Sequence, residues 1–184
     1  MLTREEALDL VKKNITKRAF LCHMLAVEAI MRSLANYLKE DEDLWGLTGL
    51  LHDIDFEKTE AMPERHATLA EEVLGDKVPK DVKRAIRAHN FQYTNVSPGT
   101  SMEKALIACD AISGLLVACA LVMPSKRLMD VRVETVSKKF KDKDFARGAD
   151  RKRILLCEEI GIPKERFFEV ALSGLKNVAA ELSL

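Results

Sequence analysis

Nineteen residues, Ala105 to Met123, are apolar except for Asp110, Ser113 and Gly114. That length approaches what spans a bilayer. A carboxylate in its middle would cost about 3 kcal/mol in lipid, however, and the run is built of Ala, Cys and Gly as much as Leu. It therefore reads as a helix apolar on every side because other helices surround it. This dictates the rest of the fold: the remaining chain must wrap that helix, and Asp110 must find a partner inside the wrapping.

The rest of the sequence supplies the wrapping. Apolar residues recur at helical spacing, and no segment alternates long enough to demand a strand, so the chain is expected to be all-α. Thr3 with Glu6 spells a capping box for a short first helix. A second helix over about 17–38 buries Phe20, Met24, Val27, Ile30, Met31 and Leu34, and a third follows the acidic start 41–43 and runs into His52-Asp53. Pro63 and Pro79 suit the first turns of helices ending near Leu74 and Ala88. Thr100 with Glu103 caps the central helix and Pro124 stops it. A solvated helix is expected within Val131–Asp144, another around Ile154–Ile160 closed by Gly161, and a last amphipathic helix over Pro163–Leu182. At 184 residues, with no repeat and no long linker, one helical-bundle domain over 1–184 is expected.

The four histidines, His23, His52, His66 and His89, all lie in the first half. His23 precedes Val27, Ile30 and Leu34 by four, seven and eleven residues and so lies on the buried stripe of its helix. His66 and His89 fall at helical spacing from Leu69 and Val73, and from Ile86 and Val82. Each points inward. A single inward histidine is ordinarily a core residue bonded to a carbonyl. Several of them together with Asp53 and a buried Asp110 are explained more economically by a dication, which neutralises the carboxylate and holds the imidazoles neutral.

The segments FLCHMLAVEAI (His23), GLLHDIDFEKT (His52, Asp53) and ALIACDAISGL (Asp110) resemble the HD superfamily of metal-dependent phosphohydrolases over roughly Lys17 to Val122. The resemblance divides the chain into a core of about 17–122 and a C-terminal helical extension of 124–184, with the metal site between the central helices. It is nearest to the branch whose motif is HDIG, although Asp55 stands where that motif has glycine. It implies metal ligation by His23, His52, Asp53 and Asp110. His66 and His89 occupy the interval where some members add two more ligands, which favours two ions bridged by Asp53 over one ion with those histidines facing substrate. Imidazole with carboxylate suits Mn, Fe, Co, Ni or Zn.

The activity implied is hydrolysis of a small phosphorylated compound, a nucleotide among them, by water activated at the metal. Asp53 belongs to that chemistry, and Asp55 and Glu57 are candidates for general base or for orienting an imidazole; both, like Lys58, are equally readable as solvated loop residues. Lys126 is the first choice of cation for phosphate oxygens, ahead of Arg127, Arg147 and Arg18. Two other readings share the pattern: a two-iron oxygenase, and a module that binds metal and nucleotide without catalysis.

With 29 basic against 29 acidic residues and few aromatics, no nucleic-acid polymer is expected as partner, nor is a membrane; oligomeric state is left open. Cys22, Cys109, Cys119 and Cys157 lack metal-binding spacing and read as reduced thiols. Together with an N-terminus that lacks an export signal, they suggest a cytoplasmic protein.

Overall fold

Thr3 and Glu6 close a reciprocal capping box at the head of α1 (Arg4–Asn14), each side chain accepting from the other's backbone amide. The computed structural model describes residues 2–184, and among these every regular element is helical. α2 (Arg18–Leu38) ends at Lys39 in left-handed backbone, and α3 (Glu42–Leu51) starts where the Asp41 carboxylate accepts from the amides of Asp43 and Leu44. The short α4 (Phe56–Thr59) and α5 (Thr68–Leu74) precede α6 (Lys80–His89) and the single turn α7 (Phe91–Thr94). α8 (Ser101–Leu121) carries a second full capping box, Thr100 with Glu103. α9 (Val133–Lys141), α10 (Arg151–Ile154), a 3-10 segment over Leu155–Ile160, α11 (Lys164–Asn177) and α12 (Ala179–Leu182) complete the chain.

α8 is long and apolar enough to cross a membrane. Here it is wrapped by α2, α6, α9, α10 and the 3-10 segment. Leu106, Ile107, Cys109, Ile112, Leu115, Leu116 and Cys119 are all fully buried, so most of the apolar run faces protein, while a stripe through Gly114 and Leu121 reaches solvent. One hydrophobic core runs from Ala7 to Leu182. α2 lies against α3, α8 and α11. The α2–α3 contact is close because Gly49 has no side chain: a Cβ there would stand 3.0 Å from the Glu28 backbone. Beside the same contact, buried Glu28 accepts from Arg4 Nε at 2.6 Å and Arg32 Nε at 3.0 Å.

Several boundaries differ from expectation: α4 was not expected, and the segment expected as a helix over Ile154–Ile160 is 3-10 with α10 before it. The helix expected from Pro63 begins only at Thr68, because Ala67 is in left-handed backbone (φ 70°), a conformation no α-helix interior admits. Its amide is drawn there by Asp55 Oδ2, at 2.9 Å. Past the helix expected to end near Ala88, a further turn, α7, follows Asn90. The last helix breaks at Val178 (φ −114°), which separates α11 from α12.

Candidate metal centre

Five segments converge on one point. α2 supplies His23, the C-terminal end of α3 supplies His52 and then Asp53, and the turn before α5 supplies His66. The last residue of α6 is His89, and the middle of α8 holds Asp110. His52 is fully buried, and His66 and His89 nearly so.

Hydrogen bonds on the outer side of the rings decide what the inner nitrogens offer. His52 Nδ1 donates to the Gly49 carbonyl at 2.8 Å, His66 Nδ1 to Asp55 Oδ1 at 2.9 Å, and His89 Nδ1 to the Ile86 carbonyl. His23 Nδ1 lies 3.2 Å from Ser113 Oγ, whose own hydrogen goes to the Asp110 carbonyl at 2.8 Å; the hydroxyl therefore accepts from the ring. With each Nδ1 a donor, each ring in its neutral form presents the Nε2 lone pair inward.

Those lone pairs surround two carboxylates. His52, His66 and His89 Nε2 stand 3.4, 3.3 and 3.4 Å from Asp53 Oδ1. His23 Nε2 is 3.6 Å from Asp53 Oδ2 and 3.2 Å from Asp110 Oδ1, which lies 4.0 Å from His52 Nε2. Donor atoms around an ion with bonds of about 2.1 Å stand about 3.0 to 3.4 Å apart, so this spacing matches a shared cation.

Two further observations fit the same group. His52 Nε2 is buried without any hydrogen-bond partner. With both Nδ1 atoms already donors, the Nε2 atoms of His66 and His89, facing each other at 2.9 Å, must share either a proton, which His66 carries in the protein alone, or a cation. A dication in place of that proton satisfies all three nitrogens. Two triads could hold one, His23 with His52 and Asp53, and Asp53 with His66 and His89, the ligand atoms of each within 4.8 Å of one another. Asp53 belongs to both.

In the protein alone these groups share protons unevenly. Burial opposes a charge on His23, but Asp110 beside it outweighs burial and raises its pKa to about 8. His66 is likewise held back by burial and carried upward by Asp53 and Asp55, to about 9. His52 is pushed down to about 4 by burial. Burial would raise Asp53 and Asp110, yet both carboxyls are held below their ordinary value, Asp53 by His52, His66 and His89 and Asp110 by His23.

Asp55 is fully buried and accepts three hydrogen bonds, from His66 Nδ1 and from the amides of Ala67 and Ala70. Expectation had it among the catalytic groups. With its oxygens committed to one ring and one turn, it orients the His66 imidazole and lines neither cleft over the histidines. Glu57 accepts from the Thr16 hydroxyl and from the Thr16 and Lys17 amides, and Lys58 donates to Asn14, so both serve the α1–α2 connection.

Lys126 is exposed and does not line the clefts over the histidines. From Asp110 to the end of α8 the helix carries the chain about 16 Å away, which is why a basic residue beyond its terminus is displaced from the site. Arg127 and Arg147 are also exposed outside these clefts, and Arg18 donates to the Ser183 hydroxyl at 2.7 Å. The cation that does line them is Arg153, which sequence reasoning passed over. It borders a cleft of about 370 Å³ with Phe20, Phe56, Asn90, His23 and Asp53, and an adjoining one of about 410 Å³ with Gln92, Ser113 and Asp150. Its only sequence signal was a place in the basic run Arg151-Lys152-Arg153, which nothing ties to a site 43 residues earlier.

A family model described as HD domain matches residues 20–115, just over half of the chain. No curated protein and no solved structure matches the chain.

Proposed function

The chain belongs to the HD domain family, and from that premise we propose that it is a metal-dependent phosphohydrolase acting on a small phosphorylated compound, with nucleotides the first class to test. One observation carries the reading: four imidazoles turn their protonated nitrogens outward and their lone pairs toward Asp53 and Asp110. Side chains that merely filled a core would not share this polarity.

His23, His52, Asp53 and Asp110 would hold one ion, and His66 and His89 a second that shares Asp53. A divalent ion such as Mn, Fe, Co, Ni or Zn supplies, when bound, a Lewis acid for phosphoryl oxygens and brings the pKa of water toward neutrality. The protein's own part is positional. Gly49, Ile86 and Asp55 fix three ring orientations through Nδ1, and Ser113 fixes the fourth. Phe20 and Phe56, edge to face with ring centres 5.1 Å apart, form an apolar border that limits water at one side of the cleft.

The test is metal analysis of purified protein joined to a phosphatase screen across divalent ions. Colourless protein that hydrolyses phosphate esters with Mn or Co supports the proposal. Retained iron with a charge-transfer colour and no hydrolysis would favour the two-iron oxygenase, and tight nucleotide binding without turnover the non-catalytic module.

A further inference from the structure

Arg153 is half-buried, and among the described residues no carboxylate lies within ion-pair distance of its guanidinium. Its one aromatic neighbour is Phe91, whose ring centre lies 5.5 Å from the guanidinium carbon. Stacking of this kind orients the plane without neutralising the charge. The short helix that carries it is fixed in place: Arg151 donates to the carbonyls of Lys139, Phe140, Asp142, Phe145, Ala146 and Ala149. Asp150 caps the same turn by accepting from the Lys152 amide at 2.8 Å. A positioned cation without a partner, bordering the clefts over His23, Asp53 and Asp110, is what an anionic substrate group requires.

We infer that Arg153 receives the phosphoryl oxygens of a phosphate monoester whose neutral, hydroxyl-bearing portion occupies the adjoining cleft; the inference rests on the phosphohydrolase reading above. Beside the one guanidinium, that cleft carries a carboxylate outside the metal centre, Asp150, together with the Gln92 amide. Such a lining accepts hydroxyls and repels a second phosphate. Monoesters of sugars or nucleosides fit it, and di- and triphosphates do not. Arg153 lies outside the stretch matched by the family, 20–115, so this preference belongs to the chain's own C-terminal part.

The experiment titrates Mn²⁺, and then inorganic phosphate, into wild type, Arg153→Gln and Arg153→Lys by calorimetry. Arg153→Gln is expected to keep the Mn²⁺ stoichiometry and to bind phosphate about 10- to 100-fold more weakly, with partial recovery in Arg153→Lys. Phosphate binding unchanged in Arg153→Gln overturns the assignment while leaving the metal centre intact. A wild type that binds no Mn²⁺ overturns the metal centre, and this inference with it. For the substrate class, Asp150→Asn keeps the helix cap but removes the charge. Its ratio of kcat/KM for a nucleoside diphosphate over the monophosphate should rise about tenfold relative to wild type, and an unchanged ratio overturns the preference for monoesters.

Discussion

His66 donates its Nδ1 hydrogen to Asp55 at 2.9 Å, and the second oxygen of Asp55 holds the amides of Ala67 and Ala70 at 2.9 Å each. One buried carboxylate thus sets a ring and the turn that carries it. Asp55→Ala leaves buried donors without acceptors and is expected to cost about 3 kcal/mol in urea denaturation and about 10- to 100-fold in Mn²⁺ affinity. Asp55→Asn, which retains one acceptor oxygen, should recover part of both. Wild-type Mn²⁺ affinity in Asp55→Ala would refute this role.

Gly49 does two jobs at the α2–α3 contact, since its carbonyl anchors His52 while its missing side chain lets the helices close. Gly49→Ala is expected to destabilise by about 1 to 3 kcal/mol and to weaken metal binding by shifting that anchor. Gly114→Ala provides the contrast: nothing lies within 4 Å of a Cβ there, and alanine in the body of α8 should stabilise by about 0.5 to 1 kcal/mol. Thermal melts of the two variants, expected to move in opposite directions, check the pair.

The pH dependence of the metal-free protein follows from the shifted groups. His23 and His66 have folded values of about 8 and about 9, above the ordinary 6.5, so their stabilisation is complete below pH 6.5 and fades as pH rises through 8 and 9. His52, lowered to about 4, acts in the other direction and costs stability as pH falls from 6.5 toward 4; the lowered Asp53 and Asp110 then add acid loss through the carboxylate range. Metal affinity should instead climb between pH 6.5 and 9, because uptake must expel the protons of His23 and His66. Denaturation in chelator and Mn²⁺ titrations at pH 6, 7.5 and 9 should therefore show opposite slopes. Parallel slopes would contradict the assignment.

Chelation should leave the protein folded, because the core from Ala7 to Leu182 is closed by apolar contacts that include no ligand side chain. Added metal at a hundredfold excess over Kd should then stabilise by about 2.7 kcal/mol. Asp53→Asn, which weakens the carboxylate common to both triads, should abolish that increment. An increment that survives in Asp53→Asn would place the ion elsewhere.

Much of the bundle was legible because its signals are local. The two capping boxes, the inward periodicity of His23 and the apolar run around Asp110 each depend on residues a few positions apart. The residues that converge at the candidate centre could be named for a related reason: they sit on or beside helices whose buried faces the sequence marks. What escaped depended on distant pairs. Ala67 takes its left-handed conformation because a carboxylate twelve residues earlier draws its amide. Asp55 looks like a loop acid until that turn folds over it. Arg153 gains its place only when α10 docks on α8, a contact that no spacing rule anticipates.

The outward Nδ1 bonds put part of the centre's geometry in the hands of residues that never reach the cleft. Gly49 and Asp55 set ring angles from behind, and Arg32, held by Glu28, donates to Asp43 and so ties α2 to the helix that leads into His52. A random-mutagenesis screen for inactive clones should therefore recover lesions at these buried supports as well as at the liganding side chains. The two classes would separate on rescue: excess metal restores turnover when a support has failed and cannot when a ligand is gone.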